Sequence, residues 1–255
     1  MIIPLRLKSM IVGSPVENIA QRLRAVLSTA HRRKHPELWE IFLEERRLPE
    51  VLRKLLSPHS SVVDVGCHLG SFLRLVQEIA PRGKHIGVEA SARKGEWLRS
   101  KFPTVEIHNV AVGEIDGEAT FEENLREGGY SRLLGANEKT DNLYYTVTVK
   151  RLDDLITRKV DLLKLDIEGA ELQALKGGVS IMDKSHPPIL FECGSEYVLN
   201  KQSRRDLFDF LTDRGYGIHT FGDFLFNKGP MEFSEFQRCG LYPFRAFNFL
   251  ALKRR

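Results

Sequence analysis

The sequence is poor in cysteine. Its three, Cys67, Cys193 and Cys239, are odd in number and widely spaced, and no two form a C-x-x-C pair. That excludes a disulfide framework and a cysteine zinc site, and it fits a reducing compartment. Long apolar runs are missing: none approaches the roughly 20 residues of a membrane span. The opening M-I-I-P-L-R-L-K lacks the basic-then-apolar order of a signal peptide, so a cytoplasmic protein is expected. An excess of one charge is also missing. A net charge of +4 permits weak attraction to anions but does not by itself indicate nucleic acid. There is no internal repeat and no low-complexity segment. What remains is an ordinary globular composition, 42% hydrophobic and 28% charged, in 255 residues. That length suits one large domain or a domain with an appendage.

The chain is organised around residues 60–70, S-S-V-V-D-V-G-C-H-L-G. Val62, Val63 and Val65 have the β-branched composition of a buried strand. Leu69, Phe72, Leu73 and Val76 then recur at helical spacing. A strand that passes through glycines into a helix is the first unit of a doubly wound α/β sheet, whose ligands bind at the carboxyl ends of the strands. A second strand, Lys84 to Glu89, ends in an acid about 20 residues on, where a carboxylate can accept hydrogen bonds from ribose hydroxyls. That suits NAD or S-adenosylmethionine. A dinucleotide needs G-x-G-x-x-G for close approach of its pyrophosphate, and His68 occupies the middle glycine position. S-adenosylmethionine has no pyrophosphate, and Asp64 is a candidate partner for its ammonium, so the methyl donor is favoured.

Residues 1–59 read as a helical extension or cap. Ser14-Pro15-Val16-Glu17 is a capping box, and Val16, Ile19, Ala20, Leu23, Val26, Leu27 and Ala30 follow one helical face. The basic run His31 to His35 lies at the negative end of that helix. Pro36 is expected to start a second helix and Pro49 a third. Their apolar faces must bury against the sheet domain or a second subunit, which leaves a homodimer open.

Beyond residue 60 the rhythm is strand, helix, strand, with a third strand from Val105 to Val112. Glu118–Glu122 and Leu143–Lys150 then alternate like exposed strands, with a polar loop between them. Asp161 to Leu165 reads as a central strand whose end carries Asp166 and Glu168. Acids at a strand end face a cleft, because burying them unpaired is costly. Lys164 and Asp166 share a strand face, and the lysine keeps the aspartate ionised. Glu171 reads as a charge at a helix N-terminus. A fifth strand ends in Glu192 and a sixth is Gly215 to Phe221. Asn227 to Pro243 reads as a loop, and Phe244 to Leu252 as a last strand that inserts antiparallel.

Together V-D-V-G-C-H-L-G, V-E-A, N-V-A-V-G, R-L-D-D-L, D-L-L-K-L-D-I-E-G-A-E-L-Q-A-L-K-G and P-P-I-L-F-E resemble the FkbM family of S-adenosylmethionine-dependent methyltransferases. The resemblance covers about residues 60–252 of this chain. The family usually has Asn and Ile or Val where this chain has Cys67-His68-Leu69. The resemblance implies a Rossmann-like class I methyltransferase domain, residues 60–255, with a seven-stranded, mostly parallel sheet and an antiparallel last strand. It implies methyl transfer, usually to a hydroxyl of a sugar, lipid or other natural product. On that reading Asp64, Gly66 and Gly70 hold the amino acid end of the donor, with His68 in the same donor-binding loop. Glu89 and Ala90 lie at its ribose, Asn109 and Ala111 border the adenine, and Asp166 also lies beside it. Asp166, Glu168, Lys164 and Glu192 are the catalytic candidates, with His68 as an outside base. A magnesium ion on Asp166 and Glu168 is the metal alternative, though no third ligand is evident. Two other functions stay open: an RNA ribose methyltransferase, and a non-catalytic Rossmann-like binding or scaffold protein.

Overall fold

The computed structural model describes residues 34–123, 143–194 and 204–254, with the backbone of 132–133. The expected helix over residues 16–30 and most of the 123–142 loop lie outside the described residues. A 3-10 turn, Pro36–Leu38, leads into α1 (Trp39–Leu55). Next come β1 (Val62–Val65), α2 (Ser71–Ile79), β2 (Ile86–Val88), α3 (Ala92–Lys101) and β3 (Glu106–His108). A small second sheet follows, from β4 (Ala111–Val112), β5 (Gly117–Glu123), β6 (Arg132–Leu133) and β7 (Leu143–Lys150). The main sheet resumes with α4 (Leu152–Leu155), β8 (Leu162–Leu165), α5 (Glu171–Lys176), α6 (Val179–Ser185) and β9 (Ile189–Glu192). Last are α7 (Arg204–Asp213), β10 (Tyr216–Thr220), α8 (Phe221–Leu225), α9 (Phe233–Cys239) and β11 (Asn248–Lys253).

The main sheet has seven strands in the order β10-β11-β9-β8-β1-β2-β3. β11 is antiparallel to both its neighbours, and the pairings among β1, β2, β3, β8 and β9 are parallel. This is the Rossmann-like α/β fold. Both faces are covered, as a parallel sheet requires. Val63, Leu163, Ile189, Phe249 and their neighbours face one core, while Val62, Leu162, Leu190 and Leu250 face the other. The period-2 alternation of the strands divides the two.

Three sequence expectations are corrected here. Pro49 does not start a new helix; it sits inside α1. Proline in a helix interior costs about 3 kcal/mol. Val51 and Leu52 in the next turn are fully buried against the sheet, and burying two such side chains returns roughly 3–6 kcal/mol. The third strand does not run from Val105 to Val112. It splits into β3 and β4, which belong to different sheets, because Asn109 between them turns back and donates its amide to the carbonyls of Glu89 (2.7 Å) and Ala90 (3.3 Å). Finally, Asn227 to Pro243 is not all loop. It contains α9, whose capping box uses Glu232 and Glu235 in place of the usual Ser or Thr opener.

Candidate active site

The carboxyl ends of β1, β2, β8 and β9 open onto one cavity of about 500 Å³. Its floor is the turn from β1 into α2. Gly66 (φ 82°) and Gly70 (φ 83°) both lie in the left-handed region, and so does His68 (φ 55°) between them. A Cβ on Gly66 would stand 1.9 Å from the carbonyl oxygen of Asp166. Glycine is therefore required for β1 and β8 to close together at this end. Gly66→Ala is expected to lower the unfolding free energy by at least about 2 kcal/mol, from the strained φ and the backbone clash together. Gly117→Ala, where a Cβ meets nothing within 4 Å, is the control and should stay within about 0.5 kcal/mol. Denaturant titration of the two variants checks this.

The structure brings most of the sequence candidates onto this cavity: Gly66, His68, Glu89, Ala90, Ala111, Lys164, Asp166, Glu168 and Glu192 all line it. Three others stand behind its wall. Asp64 is wholly buried and paired with Lys164, so its carboxylate lies behind the cavity lining. Gly70 packs on Phe102, and Asn109 ties β2 to the start of β4.

Lys164 is the electrostatic hinge of the site. Parallel pairing sets Asp64 directly opposite Lys164. The ammonium lies 3.1 Å from Asp64 Oδ1, 3.2 Å from Asp166 Oδ2 and 5.3 Å from the centre of the Phe72 ring. Burial works against its charge, but the two aspartates prevail and raise its pKa. Burial also pushes Asp64 up, against the pull of Lys164. For Asp166 the cost of desolvation is outweighed by Lys164 and by a hydrogen bond with Glu192, so its carboxyl lies below the ordinary value. Among the described residues no cation is paired with Glu192. Burial, and then the charge of Asp166, push it up to about 9. At neutral pH Asp166 is the carboxylate and Glu192 the acid that donates to it.

Across the cavity, Glu89 accepts from the backbone N–H of His68 (2.8 Å) and of Ser91 (2.9 Å). Burial raises its pKa, opposed chiefly by Lys94. Lys94, buried and on the cavity wall, is a site residue the sequence did not reveal. Its pKa is lowered by burial against the pull of Glu89 and Glu123. β5 is largely exposed over residues 117–120, as expected, and turns inward at Phe121, Glu122 and Glu123, the last 2% exposed. The oxygens of Glu123 accept from Ser91 Oγ and Arg93 at 3.0 Å and from the Tyr145 hydroxyl at 3.1 Å. Phe121 of the same strand reaches the cavity beside Ala111. The second sheet is thus a side wall of the site.

Among the described residues no three His, Cys, Asp or Glu side chains gather as metal ligands. Asp166 is already engaged by Lys164 and Glu192. No helix among the described residues is long and apolar enough to cross a membrane.

A model of the methyltransferase FkbM domain matches residues 64–218. The 2-O-methyltransferase NoeI of Sinorhizobium fredii is 22% identical over 156 residues, which cover 53% of this chain and 64% of that protein. The AMB antimetabolite synthetase AmbE of Pseudomonas aeruginosa is 25% identical over 183 residues, 54% of this chain and 8% of that one. The chain thus matches less than two thirds of the length of either relative. Of solved structures, methyltransferase FkbM from Methylobacillus flagellatus KT is similar with a TM-score of 0.48 and 18% identity, over 77% of this chain and 44% of that one. Fibrillarin of Aeropyrum pernix, solved with natively bound S-adenosyl-L-methionine, gives a TM-score of 0.42 and 15% identity, over 80% of this chain and 73% of that one. The family match covers more than half the chain, including the three strand ends, of β2, β8 and β9, that carry the cavity's acids: the protein belongs to the FkbM methyltransferase family.

Proposed function

We propose that this chain is an S-adenosylmethionine-dependent O-methyltransferase acting on a hydroxyl of a sugar, lipid or other small natural product. The observation that carries the reading is the placement of Glu89 and Asp166 on one cavity, at the ends of β2 and β8, with the glycine turn of β1 between them. The residues present fit such a donor. Glu89 is a buried carboxylate whose oxygens can accept the two ribose hydroxyls. Beside the protonated Glu192, the cavity wall carries three carboxylates, Glu89, Asp166 and Glu168, against the two ammonium groups of Lys94 and Lys164. That balance suits a cationic guest. Ala111 and Phe121 offer an apolar wall for the base. The turn at Gly66 to His68 borders the amino acid end, with Asp64 acting behind it through Lys164.

When bound, the donor supplies a methyl group already activated on a positively charged sulfur. The protein's part is to align the acceptor oxygen and to take its proton. Asp166, ionised and partly exposed to the cavity, is the group placed to accept that proton. Glu192 donates to Asp166 and steadies it, and Lys164 holds its charge. The acceptor's class as a small hydroxyl compound comes from the family and from the name of the NoeI relative.

Calorimetric titration tests the donor. S-adenosylmethionine should bind and NAD should not; binding of NAD alone would overturn the reading. Glu89→Gln should weaken S-adenosylmethionine by roughly tenfold or more, the loss of about one good hydrogen bond to a charged acceptor. An unchanged Kd would remove Glu89 from the donor site.

A further inference from the structure

Asp166 and Glu168 do not reach the cavity from a regular strand. β8 ends at Leu165, and α5 begins only at Glu171. Between them Glu168 (φ 53°) and Gly169 (φ 98°) are consecutive left-handed residues. For glutamate this conformation costs on the order of 1–2 kcal/mol, and it persists only where something else fixes it. That something is close by. Glu171 is 1% exposed, and its Oε1 accepts from the backbone N–H of Ile167 (2.9 Å) and of Gly169 (3.4 Å). One carboxylate oxygen therefore grips the turn on both sides of Glu168. The grip is local, spanning only four residues, and α5 is barely a turn and a half long. A dipole role alone does not account for a carboxylate buried this deeply and aimed backwards at the loop.

We infer that Glu171 is a positioning residue: its carboxylate holds the left-handed Glu168–Gly169 turn that presents Asp166 and Glu168 to the cavity. It touches no reactant itself. The inference rests on the donor reading for its functional readout, but not for its structural one. S-adenosylmethionine carries one positive charge more than S-adenosylhomocysteine, on the sulfur. Two carboxylates held at the cavity favour the charged form, so the ratio of the two affinities reports where they stand.

The test compares full-length wild type, Glu171→Ala and Glu171→Gln. In the absence of any ligand, hydrogen exchange at the amides of Ile167 and Gly169 should speed up at least tenfold in Glu171→Ala, with β8 unaffected. Glu171→Gln keeps an acceptor oxygen and should recover most of the protection. In titrations, the affinity for S-adenosylmethionine relative to S-adenosylhomocysteine should fall about tenfold in Glu171→Ala and recover in Glu171→Gln. Gly169→Ala, incompatible with φ 98°, should lower the same ratio with Glu171 intact, and it serves if Glu171→Ala does not fold. A folded Glu171→Ala with wild-type exchange and an unchanged ratio overturns the inference. If the wild type binds neither compound while the exchange result holds, the donor reading fails and the turn-holding role stands.

Discussion

Lys164→Met is expected to lower the unfolding free energy by about 3–5 kcal/mol, the usual result of removing one member of a buried ion pair. In a chain of this size that is a fall in Tm of roughly 10 °C. The loss comes from Asp64 rather than Asp166. Asp64 is wholly inside, with Lys164 as its neighbour across the β1–β8 ladder, whereas the Asp166 side chain is 38% exposed and water can replace the lysine there. The sign with pH follows. Without Lys164 the pKa of folded Asp64 rises further above its unfolded value. A raised acid contributes stability that is complete below the unfolded pKa of about 3.9 and is lost as pH climbs towards the folded one. The deficit of Lys164→Met against wild type should therefore be small near pH 4 and grow towards neutrality. The double variant Asp64→Asn, Lys164→Met removes both members of the buried pair, leaves neither charge unpartnered, and should regain most of the stability. Equal denaturation curves for wild type and Lys164→Met at pH 7 would show that the triad is not the electrostatic centre of the site.

That triad also marks the limit of what the sequence discloses. V-V-D-V-G and L-L-K-L-D each announce a buried strand tipped with an acid, because β-branched and apolar runs between turn signals are local facts. The sharing of one face by Lys164 and Asp166 is local too. The partnership of Lys164 with Asp64 is not: the two lie 100 residues apart, and only the register of β1 against β8 joins them. The same holds for Lys94 and Glu123. In sequence they are ordinary charges on a helix and a strand, and the folding of the second sheet against β2 and α3 buries both. Asp64 was legible as a candidate, while its full burial behind the lining was not, since nothing local tells a residue on a cavity from one behind it. Glu171 was legible as a helix-start acid, while its backward grip depends on two left-handed residues that sequence spacing does not encode. Pro49 shows the reverse case, a strong local signal overruled by the burial of Val51 and Leu52.

Asp166→Asn, nearly isosteric, is expected to cut methyl transfer by about 10²–10⁴-fold, the range for loss of a positioned general base. The affinity for S-adenosylmethionine should fall by less than the tenfold expected when both cavity carboxylates are displaced, since Glu168, Glu89 and the glycine turn are untouched. Glu192 is the rival base, and pH separates the two. Asp166 is held below the ordinary carboxylate value, so it is ionised throughout the neutral range. Glu192, raised to about 9, carries its proton there and loses it only as pH climbs through that value. A rate that depends on Asp166 is therefore flat between about pH 5 and pH 8 as far as this pair is concerned. A rate that depended on ionised Glu192 would climb about tenfold per pH unit up to about 9. Glu192→Gln distinguishes them again. Its amide still donates to Asp166, so transfer should fall by less than about tenfold and keep the flat profile. The measurement is steady-state transfer from S-adenosylmethionine to a hydroxyl acceptor over this pH range for the three proteins. Undiminished turnover in Asp166→Asn, or a wild-type rate that rises steeply to pH 9 and is lost in Glu192→Gln, would move the base from β8 to β9.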